Sequence, residues 1–287
     1  MKNPKKEKLN LEPTAAYVIG MAENYYKTNE ITARYIESLD LSSGANLTKL
    51  YKEAGIYELA SELVCNRKFI IKSIIDGLLN SCETQFQIVI LASGMAPLSL
   101  EVLADNVEKI RCIYEADVSS FNKKESIYKT LHKDAPSKIK FIQEDITSNR
   151  LLKKLETAGY NSGCRTILIL EGITHYITQD RLIEILSQFK SVDKANFTVI
   201  EYGLSYETLN SKTLSFAKQA YKIVEEVCKI PTTYRFTVAE LENKFKEAGG
   251  KLTEHYPASK SEKIRLGKNI YFFEDNYGWL ECVVGNI

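Results

Sequence analysis

The chain has 287 residues, a formal net charge of +1, 44% hydrophobic residues and 26% charged residues. This composition is typical of a globular protein with a large core, and near-neutrality excludes a global field that would attract nucleic acid. No apolar run approaches the roughly 20 residues of a membrane-spanning helix, and the N-terminus lacks the apolar core of a signal peptide, so we expect a cytoplasmic protein without nucleic-acid or membrane partners.

The first 80 residues are helical in character and predict an N-terminal helical cap. Apolar residues such as Phe69, Ile70 and Ile74 recur at a spacing that makes one helix face. The remaining residues, 81–287, are predicted to form a second domain. The six cysteines are scattered without a Cys-x-x-Cys pair, so we expect neither a disulfide framework nor a metal site.

From residue 86 to residue 202, β-rich runs alternate with amphipathic segments, the pattern of a mainly parallel α/β sheet. The predicted strands begin at Phe86, Lys109, Lys140, Thr166 and Asn196. Residues 203–235 predict a mostly helical insertion, and residues 237–249 predict a further helix. The chain closes with a predicted antiparallel hairpin of residues 269–273 and 279–284 around a turn that includes Asp275 and Asn276.

The first predicted strand runs into a turn of small residues, Ala92, Ser93 and Gly94. Small residues let the backbone approach a ligand, and the carboxylates of Glu115 and Asp117 follow about 20 residues later, the spacing expected for a ribose-binding acid. Three glycines are typical of dinucleotide sites. Because this turn has only Gly94, a nucleoside cofactor without phosphates fits better than a nicotinamide dinucleotide.

Two further predicted strands end in carboxylates, Asp145 and Glu171. Ligands of open α/β sheets bind outside the carboxyl ends of the strands, so these residues can converge on one crevice. In this interpretation Asp117 holds ribose hydroxyls, Asp145 holds an adenine amino group and Glu171 holds an ammonium group. The alternative for Asp117 and Asp145 is a helix cap, whereas Glu171 ends an apolar run and must find a partner.

The sequence resembles class I S-adenosylmethionine-dependent methyltransferases and, more narrowly, the leucine carboxyl methyltransferase family. The resemblance begins at Pro13 and is most specific at residues 171–177, where Glu-Gly followed by Tyr matches the family's fourth-strand signature. It implies an α/β, Rossmann-like fold with a mainly parallel sheet, an N-terminal helical cap and a C-terminal antiparallel hairpin. It also implies S-adenosyl-L-methionine as the cofactor and a lid over the substrate near residues 203–235.

The candidate cofactor site follows from this resemblance and from the motifs. Carried over position by position, the resemblance implies cofactor contacts from Arg67, Ala92, Asp117, Asp145, Ile146 and Glu171. The turn and the strand end add Ser93, Gly94 and Glu115. The family's turn is usually Gly-x-Gly followed by Leu-Asp-Thr-Arg; here residues 92–98 lack one glycine and both charged residues, which predicts weak cofactor affinity. A surface salt bridge is the alternative for Arg67.

The resemblance implies O-methylation, and we favour a small-molecule hydroxyl, phenol or carboxylate over a protein or peptide C-terminal carboxyl group. We expect a role in secondary metabolism. His175 and Tyr176 are the candidate catalytic residues. His175 can act as the general base for a hydroxyl or phenol, whereas a carboxylate needs none; a structural histidine is the alternative. A catalytically degenerate cofactor-binding protein and a nicotinamide-dependent oxidoreductase are the alternative functions.

Overall fold

The computed structural model describes residues 8–230, 233–274 and 277–287. Within these ranges the chain forms helices on both sides of a central sheet, together with a small two-stranded sheet. The helices are α1 (Pro13–Met21), α2 (Glu23–Tyr26), α3 (Glu30–Glu37), α4 (Ala45–Glu53), α5 (Tyr57–Asn80), α6 (Leu98–Asn106), α7 (Asn122–Leu131), α8 (Ala135–Lys138), α9 (Leu151–Thr157), α10 (Gln179–Gln188), α11 (Ser211–Cys228), α12 (Val238–Glu247) and α13 (Ala258–Leu266). The strands are β1 (Leu9–Asn10), β2 (Leu39–Asp40), β3 (Phe86–Leu91), β4 (Ile110–Asp117), β5 (Ile139–Gln143), β6 (Thr166–Leu170), β7 (Phe197–Gly203), β8 (Lys251–Tyr256) and β9 (Leu280–Asn286).

The central sheet has seven strands in the order β5-β4-β3-β6-β7-β9-β8. The strands from β5 to β7 are parallel, and β9 pairs antiparallel with both β7 and β8. Every residue of β3 and β6 is buried, as expected for parallel strands that are covered on both faces. The predicted α/β fold with a mainly parallel sheet is confirmed.

The register of the sheet brings carboxylates that are distant in sequence to the same end of the sheet, at the carboxyl ends of the strands. Leu91 at the end of β3 pairs with Ala116 of β4 and Leu170 of β6, and Leu170 pairs with Ile200 of β7. The segments that follow these residues therefore leave the sheet at the same level. Because the winding of the chain reverses at β3, a ligand crevice is expected at this point.

The helices that precede the central sheet in the chain pack near the same carboxyl ends of the strands. The first helix, α1, begins at Pro13, whose fixed φ suits the first helical position, and it contacts α4, α5 and α11. The long helix α5 packs against β7, β9 and α13. Helix α11 lies within the predicted insertion of residues 203–235. The division into residues 1–80 and 81–287 stays a prediction.

The C-terminal end of the sheet is antiparallel, as predicted, but the predicted partner of the last strand is wrong. Strand β9 pairs with β8 and β7, not with residues 269–273. The backbone N–H groups of Ile270, Tyr271 and Phe272 instead donate to the carboxylate of Glu262, so they are not available to a strand ladder. The predicted turn at Asp275 and Asn276 lies outside the described residues.

None of the described helices combines the length and apolar character needed to cross a membrane. Over the same residues, no cluster of three or more histidine, cysteine, aspartate or glutamate side chains is arranged to hold a metal ion. Cytoplasmic localisation stays a prediction.

Candidate functional site

A cavity of about 330 Å³ lies at the carboxyl ends of the central strands. Residues of α1, α5 and α11 and of the turn after β3 line it. Most of the lining is aliphatic or aromatic. The predicted site residues that line the cavity are Arg67, Ala92, Ser93, Gly94, Glu115, Glu171, His175 and Tyr176.

The turn after β3 is held in a left-handed conformation. Ala92 has φ 52° and Gly94 has φ 49°, a region that costs a residue with a Cβ about 1–2 kcal/mol. The Gly94 N–H donates to Asp117 Oδ2 at 3.0 Å, and Lys124 Nζ donates to the Gly94 carbonyl at 2.9 Å. A Cβ built at Gly94 meets no atom of the described structure within 4 Å. The turn is thus fixed from both sides and faces open space.

Glu115 lines the cavity but is committed to an internal cluster. Its carboxylate accepts hydrogen bonds from Ser99 Oγ and Lys124 Nζ, and the side chains of Glu115 and Lys124 are 1% and 0% exposed. Burial lowers the pKa of Lys124, although the charge of Glu115 opposes this effect. These contacts stabilise the fold, and a cofactor contact from Glu115 stays a prediction.

Three predicted cofactor residues, Asp117, Asp145 and Ile146, are not among the described residues that line the cavity. Asp117 accepts from the N–H of Ser119 as well as that of Gly94. Asp145 is exposed and accepts from the N–H and hydroxyl of Thr147, both at 2.8 Å. The helix cap considered as the alternative for both aspartates is wrong, because the residues at the cap positions of α7 and α9 are Phe121 and Arg150. Their cofactor contacts stay predictions.

Four charged side chains meet beside the cavity at the ends of β6 and β7. Arg67 Nε lies 3.0 Å from Glu171 Oε1, a close ion pair that is not aligned as a hydrogen bond, and Lys68 Nζ lies 2.6 Å from the same oxygen. Arg67 Nη1 also lies 3.5 Å from Glu201 Oε1. The side chain of Arg67 is 8% exposed, so the surface salt bridge considered as its alternative is wrong.

This charge cluster perturbs the pKa values of its members. Burial lowers the pKa of Lys68, although Glu171 opposes this effect. Burial works to raise the pKa of Glu201, but the charges of Arg67 and His175 and the N–H of Gly172 outweigh it and lower the pKa to about 2. Two carboxylates and two cations next to a cavity suit a ligand that carries both an ammonium and a carboxylate group.

His175 is oriented by the same cluster. Its Nε2 lies 3.3 Å from Glu201 Oε1, and Glu201 Oε2 accepts the Gly172 N–H at 2.7 Å. The buried Nδ1 has no hydrogen-bond partner in the described part of the chain. Donation of a proton from Nε2 to Glu201 leaves the Nδ1 lone pair free to accept. The Tyr176 ring, which is 43% exposed, lies beside the imidazole.

Sequence reasoning missed several residues of this region. Glu201 ends the fifth predicted strand as Glu171 ends the fourth, so the strand-end rule could have found it. Lys68 follows Arg67 in the apolar helix α5, and two consecutive basic residues there were a usable signal. Lys124 lies on a helix of mixed polarity, and its burial could not be read from the sequence.

The residues present fit the cofactor that the sequence resemblance implies. Glu171, Arg67 and Lys68 match an amino-acid group. The fixed turn leaves space at Gly94 for a nucleoside, and the buried hydroxyl of Ser93 has no partner among the described residues. The turn lacks the glycines that bring a backbone close to a pyrophosphate, in keeping with a cofactor without phosphates.

Comparisons with known proteins give the same family as the sequence resemblance and the same fold as the structure. A sequence model of the leucine carboxyl methyltransferase family matches residues 32–190. The structure is similar to that of a Thermobifida fusca protein assigned as a methyltransferase, with a TM-score of 0.65, 14% identity and coverage of 96% of this chain and 95% of that chain. It is also similar to a Nostoc punctiforme protein assigned as an O-methyltransferase, with a TM-score of 0.50, 11% identity and coverage of 96% and 72%. At these identities the two structures show a shared fold.

Proposed function

The chain belongs to the leucine carboxyl methyltransferase family, and from this premise we propose that it methylates an oxygen atom of a small-molecule hydroxyl, phenol or carboxylate. It is an S-adenosylmethionine-dependent methyltransferase with a class I fold. The observation that carries the proposal is His175. Its imidazole lines the cavity, is oriented by Glu201 and has one nitrogen without a partner among the described residues.

The cofactor would be held by residues of the strand ends. Glu171 would bind its ammonium group, Arg67 and Lys68 its carboxylate, and Asp117 and Asp145 its ribose and adenine. When bound, S-adenosyl-L-methionine supplies a methyl group on a sulfonium that is already activated, so the protein contributes alignment, exclusion of water and electrostatics.

His175 would take the proton of a hydroxyl or phenol acceptor at Nδ1. Glu201 holds the opposite ring nitrogen and stabilises the imidazolium that forms. A positioned general base of this kind contributes roughly 10²- to 10⁴-fold in rate. A carboxylate acceptor has no proton to lose, so it would require only positioning.

The lining of the cavity supports a small acceptor with apolar or aromatic character. Tyr17 and Val18 of α1 line it together with Ala220 and Val224 of α11. Aromatic rings also attract a sulfonium cation. A role in secondary metabolism stays a prediction.

The proposal is tested by binding and by activity. In calorimetry we expect the wild-type protein to bind S-adenosyl-L-methionine and S-adenosylhomocysteine. With labelled cofactor we expect methyl transfer to members of a panel of phenols, alcohols and carboxylic acids. Transfer only to a peptide that ends in a free carboxyl group would favour the protein or peptide carboxyl methyltransferase. Binding without transfer to any acceptor would favour a catalytically degenerate protein.

A further inference from the structure

Close to His175, the cavity lining holds another polar atom without a partner among the described residues. Tyr221 of α11 lines the cavity, is 8% exposed, and its ring centroid lies 5.7 Å from that of His175. Its hydroxyl, like His175 Nδ1, has no hydrogen-bond partner within the described residues. Buried polar atoms are normally hydrogen-bonded, so two such atoms close together suit a ligand that places a polar group between them.

The two atoms converge above Gly203 at the end of β7. A Cβ at residue 203 would overlap the Tyr221 hydroxyl and would lie 2.9 Å from His175 Nδ1. Glycine at this position therefore leaves room for both groups to approach the same point. Gly203 lies in the strand that carries Glu201, so His175 and Tyr221 are positioned against one rigid element.

The ring of Tyr221 is fixed by an arginine. The guanidinium carbon of Arg235 lies 4.3 Å from the Tyr221 centroid and 4.0 Å from the Tyr206 centroid, and Arg235 Nη2 donates to Thr233 Oγ1 at 2.8 Å. Stacking between two rings restrains the arginine and both tyrosines. Burial raises the pKa of Tyr221 well above its usual value, so its hydroxyl remains a hydrogen-bond donor.

We infer that Tyr221 and His175 form a paired anchor for the acceptor oxygen, and that this anchor selects a hydroxyl or phenol over a carboxylate. The inference rests on the proposed function and names its acceptor class. Tyr221 donates to the acceptor oxygen, and Nδ1 of neutral His175 accepts its proton. As the new O–CH₃ bond forms, the C–S bond breaks with its electron pair going to sulfur, and the acceptor proton passes to Nδ1.

The selectivity follows from hydrogen-bond complementarity. A hydroxyl both donates and accepts, so it satisfies Tyr221 and Nδ1 together. An ionised carboxylate only accepts; it would satisfy Tyr221 but would place an oxygen lone pair against that of Nδ1. An unmade buried hydrogen bond costs about 1–3 kcal/mol, equivalent to roughly five- to hundredfold in affinity.

The test compares matched probes that differ only in the group to be methylated. The pairs are phenol with benzoate and 2-naphthol with 2-naphthoate, titrated at pH 8 into the complex of the protein with S-adenosylhomocysteine. We expect the hydroxyl member of at least one pair to bind more than about threefold more tightly. Tyr221→Phe, which keeps the ring, should weaken binding of the hydroxyl probe by more than about threefold while leaving S-adenosylhomocysteine affinity within about threefold of wild type.

The matched control is Tyr26→Phe, because the Tyr26 hydroxyl is also buried and without a partner among the described residues but lies outside the cavity lining. It should retain the wild-type preference. The inference is overturned by a preference below about threefold in both pairs, by failure of all four probes to bind, or by hydroxyl binding that Tyr221→Phe leaves unchanged. If S-adenosylhomocysteine binds and only carboxylates are methylated, the proposed function stands and this inference alone fails.

Discussion

Two carboxylate clusters at the strand ends of the sheet have the same sequence signature and different surroundings. At the end of β4, Glu115 is paired with Lys124 and Ser99, and these contacts occupy both of its oxygens. At the ends of β6 and β7, Glu171 and Glu201 share Arg67, Lys68 and His175, and one nitrogen of His175 has no partner in the part of the chain that the structure describes. A polar strand end is therefore a better site candidate when its partners leave a group available to a ligand.

The largest expected effect is the loss of folding stability when the buried ion pair of the first cluster is broken. Glu115→Ala leaves Lys124 buried without its counter-ion, and breaking a buried ion pair in this way costs about 3–5 kcal/mol. We expect that loss in the free energy of unfolding measured with urea. The double variant Glu115→Leu/Lys124→Met should recover most of it, because it removes both charges. A loss below about 1 kcal/mol for Glu115→Ala would show that the pair is not essential to the fold.

The second effect concerns turnover at the other cluster. His175→Gln should lower turnover with a hydroxyl or phenol acceptor by roughly 10²- to 10⁴-fold while leaving cofactor affinity nearly unchanged. Steady-state kinetics and calorimetry on the same preparation measure both quantities. His132→Gln is the control, because His132 follows the end of α7, lies near Asp134 and is outside the cavity lining. Near-normal turnover in His175→Gln would return His175 to a structural role.

The pH profile sharpens this prediction. The pKa of Glu201 is lowered to about 2, so this carboxylate stays ionised throughout the usual assay range. Its contribution to stability is present above the ordinary glutamate pKa and is lost only as the pH falls through about 2. A pH–rate profile should therefore show no loss of turnover from protonation of Glu201 above the ordinary glutamate pKa.

A smaller effect is expected at the turn after β3. Asp117→Asn should weaken S-adenosylhomocysteine binding by about tenfold, because the charged acceptor of the Gly94 N–H is lost. Asp145→Asn should weaken it less, since Asp145 is exposed and bonds locally to Thr147. Calorimetry of the two variants compares them directly. The reverse order would mean that the adenine contact matters more than the geometry of the turn.

The smallest effect is expected at Ala92. Because Ala92 has φ 52°, Ala92→Gly should leave stability unchanged or raise it by up to about 1 kcal/mol. Gly94→Ala is the matched opposite change at φ 49°, and it should cost about 1–2 kcal/mol. Chemical denaturation measures both. Destabilisation by Ala92→Gly of more than about 1 kcal/mol would contradict the left-handed conformation assigned to residue 92.

Most of the parallel sheet could be predicted because its strands are short apolar runs that end in polar residues, and the structure has strands at all five predicted places. The pairing of the last strand could not be predicted, because residues 269–273 have the composition of a strand although they do not form one. Their loop conformation depends on Glu262, whose carboxylate binds three successive N–H groups, and that contact exists only in the folded chain.

The candidate site was predictable at Glu171, Arg67 and His175, since the family motif and the order of the strands place them near the carboxyl ends of the strands. The partners that decide what each residue can do were not predictable. Lys124 reaches Glu115 from α7, and Tyr221 reaches His175 from α11, so both contacts depend on tertiary packing. Spacing along the chain gives the position of a carboxylate but not the charge that lies beside it.

The measurement that tests the central claim most directly is calorimetric titration of S-adenosylhomocysteine into the wild-type protein and Glu171→Gln. We expect binding to the wild type and a loss of roughly ten- to hundredfold in the variant, because a charge-assisted contact to the ammonium group is worth about 1.5–3 kcal/mol. Glu184→Gln, which changes an exposed ion pair with Arg181, should bind like the wild type. Absence of wild-type binding at about millimolar ligand, or equal affinity of Glu171→Gln and the wild type, would contradict the assignment of this cluster to the cofactor site.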